Sequence, residues 1–342
     1  MTRADESVRG KSRPMGCGRH PRYDEKVMNR EALIARLSGC YVTLPTLFLD
    51  EDLELNLPAM RRHVRFLLEN GLDGDNAVFL AGGAAGDFST MTFEERVRVT
   101  ETVVEETDGK VAVVMGAQTT STRELVELAR AAERAKATFI QVSPPFYFTH
   151  TEDDLYDFFL AGAEAANVSL VVYNTHWISA NVSLGLIDKL AQIPNIIGLK
   201  WSSPWGLDMT FERVLLNFAK HFCVIDNHLQ FTASHMLGAR GAEFHISNFW
   251  PAWSARFWQL LETGHYVEAQ HEFGRVIVPF HAFWGEMESF TGGDGYLDKL
   301  CIELIGLASS RCRPPTRDVR DKYRDQVRRM LLTFGVPGVS RD

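Results

Sequence analysis

Between residues 37 and 265 the chain repeats one alternation eight times: a short apolar or β-branched run, then a longer stretch with apolar residues at helical spacing. The runs lie at 40–44, 77–80, 111–115, 138–142, 170–173, 196–200, 223–226 and 243–246. The helical stretches lie at 57–69, 92–106, 121–135, 152–165, 184–191, 209–220, 229–237 and 253–263. Runs that are apolar throughout suit parallel strands covered on both faces. A helix in every crossover sets such strands side by side, and eight units close into an α/β fold, the (β/α)8 TIM barrel. The competing arrangement is an open doubly wound sheet, but no GxGxxG follows the first run. Helix starts agree with the alternation: Thr92-Phe-Glu-Glu95 has capping-box spacing, Thr151-Glu-Asp-Asp154 puts acids in a first turn, and Pro251 precedes the last stretch.

Three more helical stretches follow, at 266–288, 296–308 and 317–334, so a C-terminal helical extension is expected beyond the barrel. The expected organisation is a flexible tail over 1–30, the barrel over 31–265 and a helical region over 266–342. The leader is rich in Gly, Pro and Arg, and residues 1–27 hold seven Lys/Arg against four Asp/Glu. Met28 or Met15 could serve as an alternative start, and a basic nucleic-acid arm is the sharper reading of this segment. Residues 311–329 hold eight Lys/Arg against three Asp/Glu, which reads as a solvated helix face or a subunit contact.

Composition narrows the classes. With 45% hydrophobic and 23% charged residues the chain can bury a sizeable core, which excludes a disordered or fibrous protein. No apolar run reaches the roughly 18–20 residues of a membrane helix, and the N-terminus lacks the pattern of a secretory signal. A net charge of −8 argues against a nucleic-acid partner. Five cysteines, at 17, 40, 223, 301 and 312, form no CxxC pair and point to neither a disulfide framework nor a zinc ribbon. A reducing cytoplasm is the expected compartment.

A barrel of this kind carries its chemistry where strands end. The second run leads into Gly82-Gly-Ala-Ala-Gly86-Asp87-Phe88, the fourth into Pro144-Pro-Phe-Tyr147, and the fifth ends Tyr173-Asn174. The sixth ends Gly198-Leu-Lys200 and the seventh Asp226-Asn-His228. A lysine closing an apolar run faces the barrel mouth, where partial desolvation frees its amine as a nucleophile toward carbonyl carbon. Pairing with a barrel carboxylate is the bland alternative. Tyrosine phenols can shuttle the protons that imine chemistry needs, although a lone strand-end tyrosine is more often a packed aromatic. Here Tyr147, Tyr173 and Lys200 end three successive strands, 26 and 27 residues apart.

With these residues in view, the chain resembles the dihydrodipicolinate synthase / N-acetylneuraminate lyase family of class I aldolases from about Ser38 to at least Ala282. Gly83-Ala-Ala-Gly86-Asp87 is similar to the family's glycine-rich turn, and Pro145-Phe-Tyr147 to its proline–aromatic–tyrosine motif. Tyr173-Asn174 and Gly198-Leu-Lys200 match its next two strand ends, and Gly238-Ala-Arg-Gly241 with Asn248-Phe-Trp-Pro251 its later glycine and Asn-x-x-Pro motifs. The resemblance implies that Lys200 forms an imine with a 2-keto acid, commonly pyruvate, and that Tyr173 shuttles protons beside it. It implies that Tyr147 reaches in from a neighbouring subunit, and that the protein is a homo-oligomer, a dimer or tetramer. The expected substrate contacts are Gly83, Ala84, Ala85, Asn174, Asp226, His228 and Ile246.

The departures are specific. Ala84 and Ala85 replace two hydroxyl residues that hold the keto-acid carboxylate, and losing a hydrogen bond to a charged group costs about 1.5–3 kcal/mol. Backbone N–H groups of the turn remain as an anion seat. Ile178 aligns with the arginine that binds the second substrate's carboxylate, so true dihydrodipicolinate synthase activity is not expected. Trp177, Trp201 and Trp205 near the rim suggest an aromatic or otherwise apolar aldehyde partner. His176, His228 and His245 could converge on a metal, but their spacing resembles no metal motif, and neither metal nor cofactor is expected.

The expectation is therefore a Schiff-base lyase or aldolase joining or splitting a keto acid and an aldehyde. A dehydratase of a keto-deoxy sugar acid such as 5-dehydro-4-deoxyglucarate, with or without loss of CO2, is the first alternative, since Gly82 to Phe88 resembles that branch. A non-catalytic binding barrel is the second.

Overall fold

In the computed structural model, which describes residues 30–340, eight parallel strands close into a barrel in chain order. The strands are β1 (Gly39–Thr43), β2 (Ala77–Ala81), β3 (Ala112–Gly116), β4 (Phe139–Val142), β5 (Ser169–Thr175), β6 (Ile196–Ser202), β7 (Cys223–Asp226) and β8 (Gly241–Glu243). Closure is through β8 on β1, with Gly39 opposite Gly241 and Tyr41 opposite Glu243. The expected tail over 1–30 lies outside the described residues except for Arg30, which opens helix α1 (Arg30–Arg36). That helix closes the bottom of the barrel. Leu37 is buried among Tyr41, Val78 and Phe139, and Arg30 donates to the carbonyls of Ile196 at 2.9 Å and His221 at 2.8 Å.

Helices α2 (Leu57–Glu69), α3 (Phe93–Thr107), α4 (Thr122–Arg134), α5 (Glu152–Glu164), α6 (Leu184–Leu190), α7 (Thr210–Phe218), α8 (Phe231–Met236) and α9 (Pro251–Glu262) fill the crossovers and the return from β8. Local chemistry sets their starts. Thr92 and Thr151 each form a capping box, with Glu95 and Asp154 respectively, and Ser121 and Ser183 accept N–H bonds at two more starts.

The eighth strand differs from its expected place at 243–246. It covers Gly241–Glu243, and a 3-10 turn, His245–Asn248, follows. Phe244 and Ile246 are fully buried, which makes the segment read as strand; the Phe244 N–H still reaches the Tyr41 carbonyl at 3.2 Å, but the chain then turns and both side chains enter the core between barrel and helices. Gly241 belongs to the strand because the barrel leaves it no room: a Cβ there would lie 2.9 Å from Ile225 Cγ1.

The extension comprises α10 (Tyr266–Glu272), a π turn (Phe273–Ile277), α11 (Val278–Glu288), α12 (Tyr296–Leu304) and α13 (Arg320–Phe334). The expected stretch 266–288 is thus one helical run widened near Pro279, which has no N–H to give the preceding turn. Phe280, Trp284, Leu300 and Val327 share one core with Val42, Phe79 and Phe257 of the barrel. Part of the basic segment turns inward: Arg313 forks onto Glu95 at 2.8 and 2.6 Å, and Arg320 meets Asp50 at 2.7 Å. No described helix is long and apolar enough to cross a membrane.

Candidate active site

Side chains alternate along a strand, and the alternation selects what enters the barrel mouth. On β5 and β6 the inward residues are Tyr173 and its cross-strand partner Lys200; on β1 and β8 they are Thr43 and Glu243. Together with Ala84, Ala85 and Asn227 they form one wall of a cavity of about 450 Å3. The opposite wall comes from the extension: His281, Trp284 and Glu288 on α11, and Asp294 just before α12.

Lys200 is 3% exposed. Its ammonium lies 5.0 Å from the ring centroid of Tyr41 and 4.6 Å from that of Tyr173, and it forms an ion pair with Glu243. The Glu243 carboxylate also accepts the Thr43 N–H at Oε1 and the Thr43 hydroxyl at Oε2, both at 3.1 Å. Burial pushes this carboxyl up, but the charges of Lys200 and His245 outweigh burial and hold it below its ordinary range. Tyr173 is pushed well above the ordinary phenol range by burial and then by the Glu243 charge. Its oxygen accepts a hydrogen bond from Asn227 Nδ2 at 3.1 Å, which leaves the phenol proton free to donate.

The glycine-rich turn is tightly fitted. A Cβ on Gly83 would fall 2.6 Å from Leu80 Cδ2, and one on Gly295 would fall 2.3 Å from the Ala85 carbonyl oxygen. Internal bonds run from the amides of Gly86 and Phe88 to the Gly83 carbonyl. The N–H groups of Ala84 and Ala85 have no partner among the described residues. Asp87, in the left-handed region at φ 57°, ties the turn to α12 through a buried ion pair with Lys299 at 2.6 Å.

The extension adds its own electrostatics. Burial opposes a charge on His245, but Asp298, 2.8 Å from its Nδ1, outweighs burial and lifts the imidazole to about 9. His281 is driven down to about 3 by burial and by the His245 charge. Burial raises Asp294 to about 6. The cavity therefore holds a charged histidine beside a neutral one, an arrangement that separates donor from acceptor roles.

Of the residues expected from the sequence, Lys200, Tyr173, Ala84 and Ala85 stand on the cavity wall, with Gly83 buried behind them. Tyr147 does not join them within one subunit. It is 86% exposed, packs edge-on against Phe148 and adopts φ 94°. Asn174 points out of the barrel, bonding Ser202 O and Asn181 Oδ1 at 2.7 Å each, because it follows inward-facing Tyr173 by one. Asp226 follows inward-facing Ile225 and caps the next loop, accepting from His228 N at 2.6 Å and Ser234 Oγ at 2.6 Å. His228 stacks on Trp205 at 4.2 Å, and Ile246 belongs to the barrel–helix core. Asn227 occupies the wall that Asp226 and His228 were expected to line.

The tryptophan rim is also redrawn. Trp201 is fully buried among α6 and α7 residues, one step past Lys200 and on the opposite face, and only Trp177 of the three lines the cavity. The histidines weighed as metal ligands are dispersed: His176 packs on Trp177, His228 on Trp205, and His245 pairs with Asp298. No group of three or more His, Cys, Asp or Glu among the described residues is arranged to hold a metal ion. Sequence reasoning missed Glu243 entirely. Its signal was a lone carboxylate between Ala242 and Phe244 in a stretch that had to be strand.

Known proteins share this fold. The model of the dihydrodipicolinate synthetase family matches residues 36–333. A 4-hydroxy-tetrahydrodipicolinate synthase of Methanopyrus kandleri is 28% identical over 307 residues, covering 88% of this chain and 97% of the relative. The dihydrodipicolinate synthase structure from Acinetobacter baumannii complexed with pyruvate superposes with a TM-score of 0.78 at 22% identity, covering 88% of this chain and 99% of that one. CdNal of Clostridium difficile, in complex with mannosamine, gives a TM-score of 0.75 at 18% identity, covering 87% and 99%.

Proposed function

The chain belongs to the dihydrodipicolinate synthetase family, whose members are class I lyases and aldolases acting through a lysine Schiff base, and from that premise we propose that Lys200 is its imine-forming residue. One observation carries the reading: Lys200 is the lysine on the cavity wall, buried, between two tyrosine rings, with its amine facing the space a carbonyl compound would fill. Tyr173 is the proton shuttle beside it, its phenol free to donate toward a carbinolamine oxygen. A 2-keto acid, pyruvate first, is the donor, and its carboxylate rests on the N–H groups of Ala84 and Ala85. The aldehyde partner occupies the half of the cavity walled by Trp177, Trp284, Glu288 and Asp294.

Two features support a reaction other than dihydrodipicolinate formation. Among the described residues no arginine lines the cavity, and half-exposed Ile178 stands where the second carboxylate would need one. The carboxylates of the helical wall repel an anionic aldehyde and suit a neutral, hydroxylated one. With Trp201 and Trp205 away from the cavity, an aromatic partner would stack on Trp177 and on Trp284 of the helical wall. The protein works as a homo-oligomer in the cytoplasm, with Tyr147 contributed to a neighbouring subunit.

Borohydride reduction in the presence of pyruvate, followed by peptide mass spectrometry, tests the reading. The expected result is a pyruvate-sized adduct on Lys200 that Lys200→Ala abolishes. An adduct on another lysine, or none with pyruvate and a panel of sugar-derived keto acids, sinks it. Product analysis then separates an aldolase from a dehydratase, which releases water and needs no aldehyde.

A further inference from the structure

We propose that Glu243 is a catalytic residue of this site, the group that takes the proton from Lys200 before attack and returns it to the departing hydroxyl; this rests on Lys200 being the imine-forming lysine. Glu243 is the sole side chain hydrogen-bonded to the Lys200 ammonium among the described residues. Its two oxygens are aimed by Thr43, one by the main-chain N–H and one by the hydroxyl. His245, His281 and Asp294 line the same cavity but make no hydrogen bond to Lys200, and the positions that the family resemblance offers for the exchange do not supply it. Ala84 and Ala85 carry no exchangeable side-chain proton, Tyr147 is out of reach within the subunit, and the buried Tyr173 phenol resists ionisation.

The pair has the right energetics for proton exchange. As an ion pair, each charge supports the other. Once the proton crosses, both groups are neutral in a site whose burial resists charge, which offsets part of the advantage of the ion pair. A neutral Lys200 amine then forms the C–N bond while the carbonyl π pair moves to oxygen. Tyr173 passes a proton from the new nitrogen to that oxygen. The Glu243 acid protonates the resulting hydroxyl, the C–O bond breaks with its electron pair leaving on water, and the nitrogen lone pair closes the C=N bond. The sum is ammonium plus ketone giving iminium plus water, with the Glu243 carboxylate restored beside the new cation.

The test measures the rate of imine trapping by rapid quench into borohydride, from pH 5 to 9, in the full chain with pyruvate. Glu243→Gln keeps the shape of the side chain and is expected to slow trapping by about 10²-fold or more, to flatten its pH dependence, and to leave the adduct on Lys200. Glu243→Asp is expected to recover part of the rate. Trapping by Glu243→Gln within about threefold of the parent, with an unchanged pH profile, would make Glu243 a mere counter-ion and overturn the proposal alone. No adduct in the parent protein overturns the Lys200 reading and this one with it. Should Glu243→Gln fold poorly, Thr43→Val keeps the carboxylate but removes one of its hydrogen bonds. The acid limb of the profile is then expected to move to higher pH, and an unmoved limb counts against the proposal.

Discussion

Two buried lysine–carboxylate pairs lie among the described residues, and they do different things. Lys200–Glu243 is built from β6 and β8, and Lys299–Asp87 joins α12 to the glycine-rich turn. The lysines are 3% and 1% exposed, so burial does not distinguish them. Their surroundings do. Lys299 is spent on structure, donating also to the Arg311 carbonyl at 3.3 Å beneath the Phe48 ring at 4.6 Å. Lys200 has one polar partner and a cavity in front of it. The carboxylates also part ways: burial wins at Asp87 and raises it, whereas the Lys200 charge and its neighbour hold Glu243 down. A buried lysine becomes chemically available when it faces space; otherwise the same pairing is a clasp.

Removing each lysine in turn separates the two pairs most strongly. Lys299→Met leaves Asp87 buried without its partner and is expected to cost about 3–5 kcal/mol of stability in urea unfolding. Lys200→Met should cost at least about 2 kcal/mol less, because the cavity hydrates Glu243 or lets it take a proton. Equal losses would show that the two pairs are energetically alike. The Asp87→Asn/Lys299→Met double variant should be more stable than Lys299→Met, since no lone charge remains.

The helical wall supplies a pH dependence. His245 is raised from 6.5 to about 9, so the folded protein holds its proton more firmly than the unfolded chain does. The resulting stability is fully present below pH 6.5 and is lost as pH rises through 9, on the order of 3 kcal/mol. His245→Gln should flatten this slope when urea midpoints are compared at pH 6 and pH 9. Asp294, raised to about 6, works in a lower window: its protonated form favours folding, and that contribution fades as pH climbs from about 4 to about 6.

A smaller effect is expected at the seam between the two walls. Arg313 forks onto Glu95 and also donates to the carbonyls of Leu53 and Thr90 at 2.9 Å each. Arg313→Ala should cost about 1–2 kcal/mol and lower keto-acid affinity by loosening the turn that carries Ala84 and Ala85. Unchanged pyruvate trapping kinetics would show that the extension supports the fold without setting the turn. The smallest stability change belongs to half-exposed Trp177. Trp177→Ala should stay within about 0.5 kcal/mol of the parent while raising the KM of the aldehyde partner, and an unaltered KM would remove that ring from the binding wall.

Much of this could be read along the chain. Eight apolar runs with helices between them leave few closed arrangements, and the capping signals at Thr92 and Thr151 mark real helix starts. Lys200 and Tyr173 stand out because a polar side chain closes an apolar run. The same alternation, applied one residue further, would have sent Asn174, Trp201 and Asp226 to the outer face, where they bind loops and helices. Ile246 was misjudged through register. Burial of Phe244 and Ile246 imitates a strand, and a shift in the strand's place hides the inward position of Glu243.

Periodicity and polarity are local properties, and from them alone follow the barrel, the order of its strands and the lysine at its mouth. What surrounds that lysine depends on contacts between distant segments. Glu243 and Thr43 meet it because β8 closes on β1, a pairing of segments about 200 residues apart. His281, Trp284, Glu288 and Asp294 face it because α11 and α12 fold back over the strand ends. No local pattern encodes such meetings; they follow from ring closure and from the burial of the helices' apolar faces against one shared core.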